Sequence, residues 1–504
     1  MRPLEVPLRH IAPGCFVRPF RAHCHAWTPN VSQTNGVSAA AYNLLALSDV
    51  HLGSDLVGHA RPEAPPRSAA SDRRDRALVE LLDWYRERRV DALPWRLVIG
   101  GDFIDFTGMS VLPAAPARAA LETQPTDEEL RHGLGGAADH ALAKLRLVLE
   151  HHASVMDALA RFLTAGHQLV IVPGNHDADW HWESVQAVFR QTLAERAGVE
   201  PSRIEFSHWF YYEAGFIYLE HGHQYDAYCS HDHVLFPVSP SDPRRTTQSL
   251  SDILVRWVVR PTRGLTESGH DVMGVADYLR FAGSLGLSGM AALVRRFALA
   301  IGAALRLWRE HASLAAAWAR REHERKLQQL SLTKAYGIER LRGLVGLQHP
   351  PLTRSLRAIA SSLMLDQLAL ALAIPLAMAP VLVAGEHRGL AAVIGLAAVA
   401  TAFAVRLAFL RRHSVEPSAL LREGSAGVAR LFPAAVIVMG HTHLPEVRPI
   451  ADTSTYINLG AWAGDPSAGE AHPGQTHLVL TRAPAGPHAR LLTWSDAGPQ
   501  PFDG

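Results

Sequence analysis

Short apolar runs of strand length recur along the chain and alternate with longer helical patterns. The strand-like runs are residues 43–48, 96–100, 168–172, 215–220 and 435–439, followed by residues 455–459, 477–481 and 489–493. Helical spacing of apolar residues is found at residues 72–89, 137–165 and 181–197. Continuous apolar runs separated by helical patterns are typical of strands that helices cover. The pattern therefore predicts an α/β protein in which helices are layered against β-structure.

Each of the first five runs is followed directly by acidic, amide or imidazole side chains. The blocks are Asp49-Val50-His51, Gly101-Asp102-Phe103-Ile104-Asp105, Gly174-Asn175-His176-Asp177, His221-Gly222-His223 and Gly440-His441-Thr442-His443. In open α/β sheets, ligands bind in the crevice beyond the carboxyl ends of the strands. Oxygen and nitrogen donors at such ends are what two divalent ions need if they are to activate water.

The order of these blocks resembles the calcineurin-like metallophosphoesterase superfamily, whose motifs read D-x-H, G-D-x-x-D, G-N-H-D/E, a lone H and G-H-x-H. The resemblance covers about residues 42–225 and 432–495. It implies a β-sandwich flanked by helices, with the site at the strand ends. The chain is then divided into an irregular lead-in (1–41), a first catalytic part (42–225), a mostly helical insertion (226–431) and a second catalytic part (432–504).

The donor chemistry and the resemblance together assign the metal ligands. Two ions a few ångströms apart need a shared anionic ligand to offset their repulsion, and Asp102 is the predicted bridge. The other predicted ligands are Asp49, His51 and His443 for one ion, and Asn175, His221 and His441 for the second. Mixed carboxylate, amide and imidazole donors suit two ions of Mn, Fe or Zn.

The remaining polar residues of the blocks carry the predicted proton chemistry. A hydroxide that bridges both ions attacks phosphorus, and a separate group protonates the leaving oxygen. His176 is the predicted general acid, and Asp177 is predicted to orient or charge its ring. His223 is an alternative ligand to His221. Asp105 is predicted to be a helix cap or a hydrogen-bond partner of the site rather than a ligand.

Composition limits the compartment and the partners. The formal net charge is +1, so no global charge favours nucleic acid as a partner. The three cysteines, Cys15, Cys24 and Cys229, offer no disulfide framework and are compatible with a reducing cytoplasm. Although Cys24 lies between His23 and His25, a chance cluster is favoured over a metal site. The first residues carry charges and prolines where a signal peptide has its apolar core, so no secretion signal is expected.

The insertion contains two apolar runs without charge, residues 368–384 and 389–405. Each is close to the lower limit of ~17 residues for a membrane span. Because the ligands on both sides of the insertion must share one compartment, the chain crosses a membrane an even number of times or not at all. The runs and their flanking arginines predict a membrane hairpin at 368–405, with the catalytic domain on the cytoplasmic face of a bacterial inner membrane. A soluble helical cap in the cytoplasm and a shallow interfacial hairpin are the alternatives.

The resemblance predicts a phosphate ester substrate but leaves its class open. Phosphoprotein phosphatases of this superfamily carry Arg directly after the second Asp of G-D-x-x-D, and Phe106 stands there in this chain. A membrane-associated pyrophosphatase of the lipid A pathway carries Arg where this chain has His176. A hairpin beside the site would suit a lipid-linked phosphate or pyrophosphate. A soluble phosphodiesterase with a helical lid and a non-catalytic scaffold on the same fold are the alternative functions.

Overall fold

The computed structural model describes most of the chain. The described residues are 42–57, 68–262, 281, 284–362, 388–410, 416–451, 454–462, 474–484 and 486–502. All of them lie in one compact unit, Ala40–Gly504. The predicted lead-in, with Cys15 and Cys24, lies outside the described residues.

The described strands form two sheets. In chain order they are β1 (Asn43–Leu47), β2 (Trp95–Gly100), β3 (Gln168–Val172), β4 (Ile204–Phe206), β5 (Tyr211–Glu213), β6 (Ile217–Leu219), β7 (Val436–Met439), β8 (Glu446–Ala451), β9 (Ser454–Asn458), β10 (Thr476–Ala483), β11 (Gly486–Ser495) and β12 (Gly498–Pro501). The order is β12-β11-β10-β1-β2-β3-β4 in the seven-stranded sheet and β5-β6-β7-β9-β8 in the five-stranded sheet. Strands β1 to β4 are parallel, and β6, β7 and β9 are parallel.

Thirteen α-helices lie within the described ranges. They are α1 (Ala69–Glu87), α2 (Ala115–Ala119), α3 (Asp127–His132), α4 (Ala138–His151), α5 (Ala153–Thr164), α6 (Glu183–Ala197), α7 (Leu250–Leu254), α8 (Gly286–His311), α9 (Leu314–Lys334), α10 (Ile338–Leu347), α11 (Leu356–Ser362), α12 (Arg388–Leu410) and α13 (Pro417–Leu431). A π-helical turn, Val255–Val259, continues α7. Short 3-10 helices are found at Ala178–His181, Pro201–Arg203, His223–Tyr225 and Leu352–Arg354.

Alternate side chains of the central strands face different layers, as the two-residue period of a strand requires. Leu45 and Leu47 of β1 pack into a core shared with helices α1, α4, α5 and α6. Leu44 and Ala46 belong to a second core that includes Val436 from the five-stranded sheet. The seven-stranded sheet is therefore covered by helices on one face and by the smaller sheet on the other. The predicted layered α/β architecture with two sheets is confirmed.

The predicted helix over residues 137–165 is two helices, α4 and α5, which meet at His152. The backbone of His152 leaves helical geometry, with φ −108° and ψ 38°. Its Nδ1 donates to Asp75 Oδ2 over 2.7 Å, and its Nε2 accepts from the Gly53 N–H over 3.0 Å. These bonds to distant segments hold His152 out of the helix, and helical periodicity alone cannot reveal them.

The described part of the insertion is mostly helical and packs on the smaller sheet. Leu327 of α9, Leu341 of α10 and Val428 of α13 share a core with Tyr218 and Ile437 of the smaller sheet. A separate core joins α7, the π-helical turn and α8. The insertion therefore covers one face of the smaller sheet and also builds a core of its own.

Only the second of the two apolar runs of the predicted membrane hairpin lies within the described residues. Residues 368–384 lie outside the described residues, and residues 389–405 lie within α12. Among the helices that the structure describes, none combines the length and the apolar character needed to cross a membrane. Large apolar side chains of α12 are nevertheless exposed to solvent: Val393, Ile394, Leu396 and Phe403.

Candidate metal centre

The strand-end blocks of both sheets meet in one site. Asp49 and His51 follow β1, Asp102 follows β2, and Asn175 follows β3 in the larger sheet. His221 follows β6 of the smaller sheet, and His441 and His443 follow β7. Asp49, Asp102 and His221 are fully or almost fully buried, and His443 is the most exposed of these side chains. The site therefore lies where the carboxyl ends of both sheets meet, as the strand pattern predicts.

Backbone strain is concentrated at the predicted ligands. Five of the nine non-glycine residues with positive φ in the described ranges are Asp49, His51, Asp102, His441 and His443, with φ between 50° and 70°. Such conformations are uncommon for residues with a side chain, and they persist where the surrounding structure over-determines them. They turn each donor group sharply away from its strand and into the crevice.

The first group of donors comprises Asp49, His51 and His443, whose donor atoms all lie within 4.8 Å of one another. His443 Nε2 lies 3.2 Å from Asp49 Oδ1, and the rings of His51 and His443 are 5.3 Å apart. His51 Nε2 is buried without a hydrogen-bond partner in the described structure. Since buried polar atoms are normally paired, this atom fits a ligand of a cation, and Asp49 supplies a carboxylate oxygen to the same group.

The second group comprises Asp49, Asp102 and His221. His221 Nε2 lies 3.1 Å from Asp102 Oδ2 and 3.9 Å from Asp49 Oδ1, and Asn175 Oδ1 is 3.1 Å from the same nitrogen. Asp102 Oδ2 also lies 3.8 Å from His51 Nε2 of the first group. Asp102 therefore lies between the two groups, in the place of a bridging ligand.

His441 differs from its prediction in its immediate partners. Its Nε2 lies 3.1 Å from Asp226 Oδ2, and its donor atoms form a group with those of Asp226 and Cys229. Its ring is 5.3 Å from that of His221, and its backbone N–H donates to Asp49 Oδ2 over 3.2 Å. A carboxylate on one imidazole nitrogen commonly orients a metal-binding histidine. Asp226 would leave Nδ1 of His441 for the metal, and no motif in the sequence marks Asp226 for this role.

Electrostatics at the site is dominated by opposite charges in a buried space. Burial alone would raise the pKa of Asp49, but His221 and then His443 lower it to about 2. Burial likewise opposes protonation of His221, yet Asp102 and Asp49 raise its pKa to about 9. These carboxylates therefore favour the protonated form of a ring that a metal ion would need in its neutral form. Metal binding would release that proton.

His176 is oriented by Asp105, which corrects the role predicted for Asp177. His176 Nδ1 lies 2.8 Å from Asp105 Oδ1, and its ring centroid is 4.7 Å from that of His51. Asp177 instead accepts hydrogen bonds from the backbone N–H groups of Phe103 and Gly174, at 2.8 and 2.5 Å. Its carboxylate is thus turned to the loops after β2 and β3, away from the ring beside it in sequence. Burial and the charge of Asp102 raise the pKa of Asp177 to about 7.

The alternative ligand His223 lies behind the site. It is buried in a 3-10 turn, its ring centroid is 5.5 Å from that of His221, and its Nε2 contacts Gln224 over 3.0 Å. His223 is in none of the donor groups formed by the described residues. The geometry therefore favours His221 over His223 as a ligand.

A cavity of about 420 Å³, lined by polar, charged and apolar residues, adjoins the site between residues 42–225 and the insertion. Asn175 and Thr107 line it near the donor groups, and Arg256 and Glu310 line it from the insertion. Lys144 also faces this cavity, where burial lowers its pKa to about 8. Charged side chains, among them Lys144, Arg256 and Glu310, are therefore available beside the donor groups.

Comparisons with known proteins found no relative of this chain. No family model, no curated protein and no solved structure matches the chain. Membership of the calcineurin-like superfamily thus stays a prediction from the five sequence motifs.

Proposed function

We propose that this chain is a dinuclear metal-dependent phosphoesterase that uses Mn, Fe or Zn. The observation that carries the proposal is the position of Asp102 between two groups of donors that share the buried Asp49. Asp49, His51 and His443 would hold one ion together with Asp102. Asn175, His221 and His441 would hold the second ion. The ions would supply activated water and neutralise charge on the phosphoryl oxygens.

The chain's own residues would then bind, orient and move a proton. His176 is half-buried at the edge of the site, where its Nε2 could donate a proton to the leaving oxygen. Asp105 holds the other ring nitrogen and so fixes the orientation of the ring. The backbone N–H of His176 donates to Asp102 Oδ1 over 2.8 Å, which couples the position of the acid to the bridging carboxylate.

The charged side chains of Lys144 and Arg256 in the cavity beside Asn175 would support binding of an anionic head group near the metals. A lipid-linked phosphate or pyrophosphate fits this proposal if its polar head enters the cavity and its acyl chains stay outside. The exposed apolar side chains of α12 support association with the cytoplasmic face of a membrane. Sedimentation with anionic vesicles tests that association: the purified chain is expected in the vesicle pellet, and an L396D/F403D variant is expected to stay in the supernatant.

Hydrolysis by manganese-loaded protein tests the catalytic proposal. The panel contains a monoester, a diester and a pyrophosphate, each in a soluble and a lipid-linked form, with and without a chelator. We expect chelator-sensitive hydrolysis of one bond class. Bound metal without hydrolysis of any member would favour the scaffold function, and protein that binds no transition metal would contradict the metal site itself.

A further inference from the structure

The insertion contacts the site next to Asp105 and His176, through a π-helical turn. Helix α7 runs directly into the turn Val255–Val259, after which the Arg260 N–H donates to Val255 O, five residues back, over 2.9 Å. Single π-helical turns inside helices occur often at functional sites because they displace one side chain from the helical register. Here the displaced position is that of Arg260.

Arg260 binds two segments of the catalytic core at once. Its Nη2 donates to Asp105 Oδ2 over 3.0 Å, and its Nη1 donates to the backbone oxygen of Ser54 over 2.8 Å. Asp105 is fully buried and the Arg260 side chain is 15% exposed, so water screens this ion pair only weakly. Gly108 permits the approach, since a Cβ there would collide with Arg260 Nη2 and with Asp105 Oδ2.

The same carboxylate holds the proposed general acid. Asp105 Oδ1 accepts from His176 Nδ1 over 2.8 Å and from the Gly108 N–H over 2.6 Å, while Oδ2 accepts from Arg260. The Arg260 contact fixes the plane of the carboxyl group, because each oxygen then has its own donor. Without Arg260 the carboxylate could rotate, and the ring of His176 would lose a fixed partner.

The residues just before Arg260 anchor it. Arg256, one turn earlier, donates to the backbone oxygen of Gly133 and pairs with Glu128, each over 2.9 Å. Trp257 and Val258 are buried in the core that α7 shares with α8. The guanidinium at the site therefore depends on the packing of the insertion, which lies far from the catalytic motifs in sequence.

We propose that Arg260 is a positioning residue through which the insertion orients the Asp105–His176 pair. The inference rests on the proposed phosphoesterase function only for its kinetic effect. The orientation of the His176 ring by Arg260 is a structural statement that stands without it.

The kinetic test compares R260A and R260K with R161A, which removes a half-exposed arginine paired with Asp83 on the outer helices. With an alkyl phosphate, whose leaving group needs a proton, R260A should lower kcat ~10-fold or more, with little change in KM. With nitrophenyl phosphate the loss should be within about threefold, since this leaving group needs little protonation. R260K should lie between wild type and R260A because an ammonium cannot make the same paired contacts. R161A should behave as wild type.

A double variant supplies the decisive comparison. H176A/R260A should be no slower than H176A, because Arg260 acts through His176. Equal losses of kcat with both esters, or additive losses in the double variant, would overturn the inference.

A spectroscopic readout separates this inference from the proposed function. In protein labelled with ¹⁵N-histidine, the Nδ1–H signal of His176 is identified by its loss in H176A. We expect R260A to shift or broaden that signal and R161A to leave it unchanged. An unchanged signal in R260A would overturn the inference even if the protein hydrolyses every ester tested, and a shifted signal would support it even if none is hydrolysed.

Discussion

Buried histidines occur in two regions of this molecule, and their pKa values are shifted in opposite directions. At the strand ends, carboxylates offset the cost of burial, and Asp102 and Asp49 raise the pKa of His221. Inside the seven-stranded sheet, His477 of β10 is equally buried, but no carboxylate compensates and burial lowers its pKa to about 3. The difference shows that burial alone does not make a histidine a ligand candidate. The adjacent carboxylates do.

The backbone separates the two regions as well. His51 and His443 adopt left-handed conformations at loop positions, whereas His477 lies in a regular strand paired with β1 and β11. His477 Nε2 has a single neutral partner, the hydroxyl of Tyr85 at 2.9 Å. Strained, carboxylate-rich positions are thus where substitution should affect chemistry, and regular interior positions are where it should affect stability.

Asp102→Asn should have the largest effect, because it removes the negative charge that lies between the two donor groups. We expect metal-dependent hydrolysis to fall by ~10³-fold or more, equivalent to about 4 kcal/mol of transition-state stabilisation. Steady-state kinetics together with metal analysis of the folded variant measures this loss. Asp157→Asn, at an exposed ion pair on α5, is the matched control and should retain wild-type rates. A D102N protein with full activity would contradict the assignment of the bridge.

His176→Ala should have the next largest effect, and the loss should depend on the leaving group. With an alkyl phosphate we expect a loss of ~10²-fold, because the variant loses the group proposed to protonate the leaving oxygen. With nitrophenyl phosphate the loss should be small. His488→Ala, at an exposed position of β11, is the control and should change neither rate. Equal losses with both esters would show that His176 is not the general acid.

The sequence predicts the strands and the donor residues of this site better than it predicts the hydrogen-bond partners of those residues. Of the five strands that precede the motifs, four contain no charged residue: β1, β3, β6 and β7. The parallel order of β1 to β3 brings Asp49, Asp102 and Asn175 to one end of the sheet. Residue type and strand position are local properties, so the pattern can predict them. The ligand positions given by the motifs accordingly meet in space.

The partners of the ligands depend on contacts across the chain. Asp105 rather than Asp177 holds His176, although Asp177 is adjacent in sequence. Asp226 and Arg260 come from the insertion and follow no periodic pattern. Such pairings are set by the direction of side chains after strained turns, which a pattern of apolar and polar positions does not contain.

His477→Gln should sharpen the comparison through the pH dependence of unfolding. The folded-state pKa of about 3 lies below the ordinary value of 6.5, so the unfolded state binds more protons between these values. The neutral ring therefore contributes its full stability above pH 6.5, and this contribution is lost as the pH falls toward 3. Between pH 7 and pH 5 the loss is about 2 kcal/mol.

The glutamine side chain can still accept a hydrogen bond from Tyr85 but does not titrate. Between pH 7 and pH 5, the free energy of unfolding should therefore fall by about 2 kcal/mol less in the variant than in wild type. Denaturant unfolding of metal-free protein at both pH values measures the difference, with the exposed His488→Gln as control. If wild type and H477Q lose the same stability between pH 7 and pH 5, then His477 is not held neutral by burial.

Ser68→Ala should have the smallest effect and should change stability alone. Ser68 is the N-cap of α1, and its side chain accepts from the Ser71 N–H over 3.0 Å. Removing this acceptor leaves a helix N–H unpaired and should cost ~1 kcal/mol of unfolding free energy. Helix α1 reaches the site through Arg74, which donates to the backbone oxygen of His51 over 3.1 Å, but the cap of Ser68 is made to a backbone N–H, so kcat for both esters should stay at the wild-type value. A fall in kcat without a fall in stability would show that the cap positions Arg74 against His51, and the separation between strand-end chemistry and interior stability would fail at this helix.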